Sequence, residues 1–244
     1  MSYTIKKNKK IDLKIPEFLC DSYLSENLAK YDMLNHMNNY NFTAMIGKPG
    51  SGKTSLLVSF LTGTGKNKVL RKIYNNILVI MPSSSIKSMK NNIFKKHDED
   101  KMFNELDFDT INEIKNRLDE YTDANESTLI IMDDVGAELK NVEIQKILRH
   151  IIYNRRHLKC SIIMLCQSFL SIPREIRKLI NNTIMFKPSK IEFENFIHEL
   201  FEQKKDKIID LLQLYKNKGD YLFLNVESQR IYKMFDEIIF YEDN

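Results

Sequence analysis

Gly47-Lys48-Pro49-Gly50-Ser51-Gly52-Lys53-Thr54 is a complete G-x-x-x-x-G-K-[ST] octapeptide, and what flanks it decides the fold. Before it runs the apolar Phe42-Thr43-Ala44-Met45-Ile46, and after it the helix-forming Ser55-Leu56-Leu57-Val58-Ser59-Phe60-Leu61. A strand, a glycine-bearing loop and a helix in that order make a phosphate cradle. The glycines let the backbone curl until several N–H groups point inward, and the helix presents its positive dipole end to the same anion. Residues 47–54 are therefore expected to bind a nucleoside triphosphate, with Lys53 reaching the β- and γ-phosphates and the Thr54 hydroxyl ligating Mg²⁺. The bland alternative, a glycine turn ahead of a buried helix, is disfavoured by that context.

Outward from the loop, short apolar runs alternate with helical stretches. Strands are expected at 77–81, 129–132, 161–166 and 183–186, each a continuous apolar run of the kind that is buried on both faces. Residues 86–121 read as helices with a charged interruption at His97–Lys101, and 142–157 as a helix with apolar residues at Ile144, Ile147, Leu148, Ile151 and Ile152 on one face. A charged helix is expected over 191–216 with a break near 203–206, its Phe193, Phe196 and Phe201 facing the core. It is followed by two strands at 221–226 and 229–233, joined by a tight turn as a hairpin. Alternating strands and helices imply one α/β domain with a mostly parallel central sheet flanked by helices. Residues 1–40 read as an N-terminal extension, with a short helix near Ser25–Asn38, ahead of an ATPase domain at 41–244.

The 244 residues fit a single domain, and 43% hydrophobic content suffices for a sizeable core. A net charge of +4 is too mild to indicate nucleic acid by itself. Lys6, Lys7, Lys9 and Lys10 form a basic arm that either touches an anionic partner or does nothing specific. Cys20, Cys160 and Cys166 are too few and too oddly spaced for a disulfide framework or a zinc site, which points to a reducing intracellular compartment. The first ten residues are polar and basic, unlike a signal peptide, and the longest apolar runs fall far short of a membrane span, so a soluble protein without a membrane partner is expected.

The second half of the site is an acid pair. Asp133 closes the apolar strand 129–132, where a carboxylate that holds the Mg²⁺ shell belongs, and Asp134 is the candidate general base for the attacking water. Adjacent carboxylates repel one another unless a cation sits nearby. Gln167 follows the strand 161–166 and is placed to hydrogen-bond the γ-phosphate or the water, or else to satisfy loop backbone groups. Lys146, Arg149, His150, Tyr153 and Arg156 fall on one stripe of the helix 142–157. Three readings of that stripe stay open: contact with a phosphate backbone, contact with a neighbouring subunit's nucleotide, or an ordinary solvated face.

Together, Gly47–Thr54, the strand ending Met132-Asp133-Asp134 and the strand ending Cys166-Gln167-Ser168 resemble the genome-packaging ATPases of large double-stranded DNA viruses and virophages, in the FtsK–HerA superfamily of P-loop pumps. The resemblance covers about residues 40–190. It implies a RecA-like (ASCE) sheet, ATP and Mg²⁺ as ligands, and a homo-oligomeric ring, hexamer or pentamer, that drives double-stranded DNA into a capsid. Location in the host cytoplasm, viral factory or virion, with capsid or portal proteins as partners, follows from the same likeness. So does a trans-acting arginine finger, for which Arg149, Arg155 and Arg156 are the first candidates and Arg174 and Arg177 the next. Asp134 stands where many relatives place Glu, a shorter reach toward water. The competing readings are a nucleotide or small-molecule kinase and a non-motor ATP-binding switch or assembly factor.

Overall fold

The computed structural model describes residues 40–64, 69–88, 93–201 and 205–239; the expected Ser25–Asn38 helix, the lysine arm and Cys20 lie outside them. Among the described residues nine strands form one sheet: β1 (Phe42–Ile46), β2 (Asn76–Ile80), β3 (Met102–Phe103), β4 (Thr128–Asp133), β5 (Cys160–Cys166), β6 (Asn182–Phe186), β7 (Tyr221–Asn225), β8 (Arg230–Lys233) and β9 (Asp236–Glu237). Their spatial order is β3-β2-β4-β5-β1-β6-β7-β8-β9. The pairings from β3 through β6 are parallel and those from β6 through β9 antiparallel. The expected hairpin is present as β7–β8, and the sheet is the mostly parallel one that the apolar runs imply.

The helices are α1 (Lys53–Thr62), α2 (Ser83–Ser88), α3 (Phe108–Asp123), α4 (Val142–Asn154), α5 (Arg174–Arg177), α6 (Lys190–Leu200) and α7 (Lys205–Gln213). Strand side chains alternate between two cores, as the period of two requires. Ala44, Ile46, Ile130, Met132, Ile162 and Met164 face one core with Ile114 of α3, Leu148 and Ile151 of α4, and Phe193 and Phe196 of α6. Met45, Leu129, Ile131, Ile163 and Leu165 face the other, with Leu57 and Phe60 of α1. Both faces of the sheet are therefore covered, and strands without a polar face result.

Helix starts follow local chemistry. Asp107 accepts the Thr110 amide at 2.7 Å ahead of α3, Asn141 accepts the Glu143 amide at 2.9 Å ahead of α4, and Ser189 accepts the Glu192 amide at 3.2 Å ahead of α6.

The structure differs from expectation in three stretches. The helices expected across 86–121 shrink to α2 and α3, with short 3-10 turns at Ile93–Lys96 and Glu99–Lys101 and the two-residue β3 paired to β2. Helix 142–157 ends at Asn154, where the Arg155 amide bonds the Ile152 carbonyl and the chain turns through Lys159 (φ 45°) into β5. The break expected near 203–206 falls a few residues earlier, between α6 and α7, where Phe201 leaves the helix for the core at 5% exposure.

Candidate nucleotide site

The carboxyl ends of β4, β5 and β1 lie side by side. Asp133 registers with Leu165, and Ile46 with Cys166, so the acid pair, Gln167 and the phosphate loop emerge on one edge. β5 stands between β1 and β4, so Gln167 emerges between the phosphate loop and the acid pair.

The loop leaves β1 on one last rung, the Gly47 amide donating to the Cys166 carbonyl at 3.1 Å. A side chain at 47 would meet Phe186 Cβ at 2.8 Å, so the loop can cross β6 this closely only with glycine there. Gly52 takes φ 111° at the start of α1, a left-handed geometry that a residue bearing Cβ resists. Lys53 Nζ donates to the Gly47 and Lys48 carbonyls, the second at 3.3 Å, holding the ammonium over the loop's interior. Ser51 Oγ is buried there without a hydrogen-bond partner. Lys48, Pro49 and Gly50 are exposed, and Thr54 is half-buried in the first turn of α1.

Electrostatics ties the loop to the acids. Burial lowers the Lys53 pKa, while Asp133, Cys166 and Asp134 pull it back up. Asp133 is pushed up to about 6, first by burial and then by Asp134, against the pull of Lys53. Two carboxyl groups and one ammonium thus share a partly desolvated corner, and a divalent cation would relieve the repulsion between the acids. Asp134 sits at φ 57°, a left-handed conformation that Asp tolerates better than most residues. Its Oδ1 accepts a hydrogen bond from Gln167 Nε2 at 3.3 Å. The structure therefore brings together the loop, both acids and the glutamine.

The arginines fall elsewhere. Arg155 and Arg156 lie in the turn that leads from α4 into β5, at the opposite end of β5 from the loop, with the Arg155 guanidinium bonded to the Ile152 carbonyl at 2.9 Å. Arg149 is half-buried mid-way along α4 with its Nε shielded and unpartnered, whereas Lys146, His150, Tyr153 and Arg156 are exposed. Arg177 is committed to Glu199 at 2.9 Å, to the Ile172 carbonyl at 3.1 Å and to the Phe169 ring at 4.9 Å. Arg174 is exposed at the start of α5, close in the chain to the segment that follows Gln167.

Three further contributors are not singled out as site residues in the sequence. Cys166 ends β5 with its thiol pushed up to about 12 by burial, close enough to Lys53 to feel its charge. Phe186 floors the loop. Glu192 Oε1 accepts the Phe169 amide at 2.8 Å and so ties the segment behind Gln167 to α6.

In fold the chain is similar to the genome packaging NTPase B204 from Sulfolobus turreted icosahedral virus 2 in complex with ATP-gammaS, at TM-score 0.62 and 15% identity, over 82% of this chain and 98% of that one. It is similar to B204, the DNA-packaging ATPase from Sulfolobus turreted icosahedral virus, at TM-score 0.56 and 16% identity, over 78% and 95%. The cytoplasmic domain of the Thermomonospora curvata Type VII secretion ATPase EccC gives TM-score 0.51 at 11% identity, over 82% of this chain and 24% of that one. No curated protein matches significantly. The Poxvirus A32 protein family matches residues 28–242, a span that takes in the phosphate loop, the acid pair and the hairpin, and the chain belongs to this family of P-loop ATPases.

Proposed function

We propose that this member of a viral genome-packaging NTPase family is a motor that spends ATP to move double-stranded DNA into a capsid. The observation that carries the reading is the meeting of Lys53, Asp133, Asp134 and Gln167 at one edge of the sheet. Family membership supplies the packaging context, and the B204 structures are named as packaging NTPases.

In this reading residues 47–54 wrap the triphosphate with backbone N–H groups and Lys53 neutralises charge that develops on the γ-phosphoryl group. Asp134 accepts the proton of the attacking water as its oxygen bonds to the γ-phosphorus and the bond to the ADP oxygen breaks. Gln167, hydrogen-bonded to Asp134, orients that carboxylate and passes the state of the γ-phosphate to Ser168–Ile172. Thr54 and Asp133 would hold Mg²⁺, and the half-buried Asp133, repelled by the exposed Asp134 beside it, and the shielded Ser51 hydroxyl suit a cation–phosphate pair. The bound ion supplies charge neutralisation to the phosphates. We place the chain in a homo-oligomeric ring in which a neighbour's arginine completes the site. Arg174 is the candidate that is exposed beside the Gln167 segment.

The test is steady-state ATP hydrolysis with and without duplex DNA of mixed sequence at increasing salt. DNA should stimulate the rate several-fold, regardless of sequence, and salt should remove the stimulation because phosphates rather than bases are bound. A rate indifferent to DNA would point to a switch or a kinase instead.

A further inference from the structure

The triphosphate's orientation in this site follows from the sheet order. The acids and Gln167 stand on β4 and β5, to one side of the loop on β1, whereas β6 and β7 stand to the other. The γ-phosphate must lie toward the acids, so the ribose and base must leave toward β6 and β7. What waits there is a built turn. Gly219 Cα lies 4.0 Å from the position of a Cβ on Gly52, the residue that opens α1.

The turn, residues 216–220, is fixed at both ends. Tyr215, 4% exposed, donates its hydroxyl to the Met185 carbonyl at 3.0 Å, pinning the approach to β6. The Asp220 carboxylate, 8% exposed, accepts the Lys216 and Asn217 amides, both at 2.9 Å, and closes the loop on itself. Gly219 at φ 93° permits the reversal. A turn so anchored leaves the side chains of Lys216, Asn217 and Lys218 exposed, next in the chain to Gly219, which abuts the phosphate loop at Gly52. An amide that offers both a donor and an acceptor, flanked by two ammonium groups, is suited to the edge of a purine and the oxygens of a ribose.

We propose that residues 216–219 form the nucleoside subsite, with Asn217 meeting the base edge and Lys218 the ribose side, so that this turn sets nucleotide preference. The proposal rests on the ATPase reading of the loop. It assigns a role to a segment far from the phosphate motif in sequence, residues 216–219 against 47–54, brought beside it by the return of β7 against β6.

Binding of ATP, GTP and inorganic tripolyphosphate to the full chain separates the possibilities. Asn217→Ala and Lys218→Ala should each weaken ATP binding about tenfold, the size of a lost hydrogen bond to a charged or well-placed polar partner. Tripolyphosphate affinity and the thermal unfolding midpoint should stay at wild-type values, since the side chains are exposed and the ligand lacks a nucleoside. Asn217→Ala should also change the ratio of ATP to GTP affinity. Equal losses for ATP and tripolyphosphate, or no change in either, would overturn the subsite. A wild-type chain that binds neither ligand would instead remove the ATPase reading itself, and this proposal with it.

Discussion

At the scale of single residues, the site depends on charges held where water is scarce. Lys53→Ala should abolish nucleotide binding or turnover, whereas Asp134→Asn should bind ATP normally and stop hydrolysis. Equilibrium binding beside a phosphate-release assay distinguishes the two, and wild-type turnover by Asp134→Asn would remove the base assignment. Asp133 makes a prediction about pH. Its carboxyl rises from the ordinary 3.8 to about 6 in the folded chain, chiefly through burial. The native state therefore binds more protons than the unfolded state across that interval, and stability falls as pH rises through it. Asp133→Asn should remove this dependence. It should raise the nucleotide-free protein's stability at pH 7 by on the order of 2 kcal/mol while eliminating Mg²⁺-dependent hydrolysis. Thermal unfolding at pH 4 and pH 7 reads the first effect. A group that destabilises the fold and yet is kept in the site fits one whose partner is a ligand.

At the scale of elements, the segment behind Gln167 is clamped to α6 by two acids of that helix. Glu192 holds the Phe169 amide, and Glu199 holds Arg177, whose guanidinium also caps the Ile172 carbonyl and lies over Phe169. The Arg177 and Glu199 side chains are only 13% and 17% exposed, so removing one leaves the other charged and poorly solvated. Arg177→Ala should cost about 3 kcal/mol in a urea titration, with Glu199→Gln smaller because it keeps an acceptor. Much of the element plan was legible in the sequence because strands buried on both faces are written as unbroken apolar runs, from Phe42–Ile46 to Ser161–Cys166. The phosphate loop and acid pair were legible for a different reason: their chemistry depends on residues adjacent in the chain. The short elements of 93–103 were misread, since Asp98, Asp100 and Asn104 interrupt any period long enough to detect. Arg177–Glu199, Glu192–Phe169 and Gly52–Gly219 were invisible because the fold, not the chain, makes each of them neighbours. The α4 stripe divides as well. Arg149 turns partly inward while Lys146, His150 and Tyr153 face out.

At the scale of the whole molecule, no helix among the described residues is long and apolar enough to cross a membrane. If the working form is a ring whose subunits complete each other's sites, activity per subunit should rise with protein concentration. Mixing in Lys53→Ala subunits should then depress turnover more steeply than their share of the mixture. Strict proportionality would mean that each subunit works alone. The two-residue strands at either margin of the sheet bear on such an assembly. β3 offers Met102 and Phe103 alone, and β9 offers only the acidic pair Asp236 and Glu237. Margins this brief, one of them negatively charged, give a foreign backbone little to zip onto. If copies of the chain do assemble, margins of this kind steer them away from fibrous stacking and toward contacts made by helices and loops.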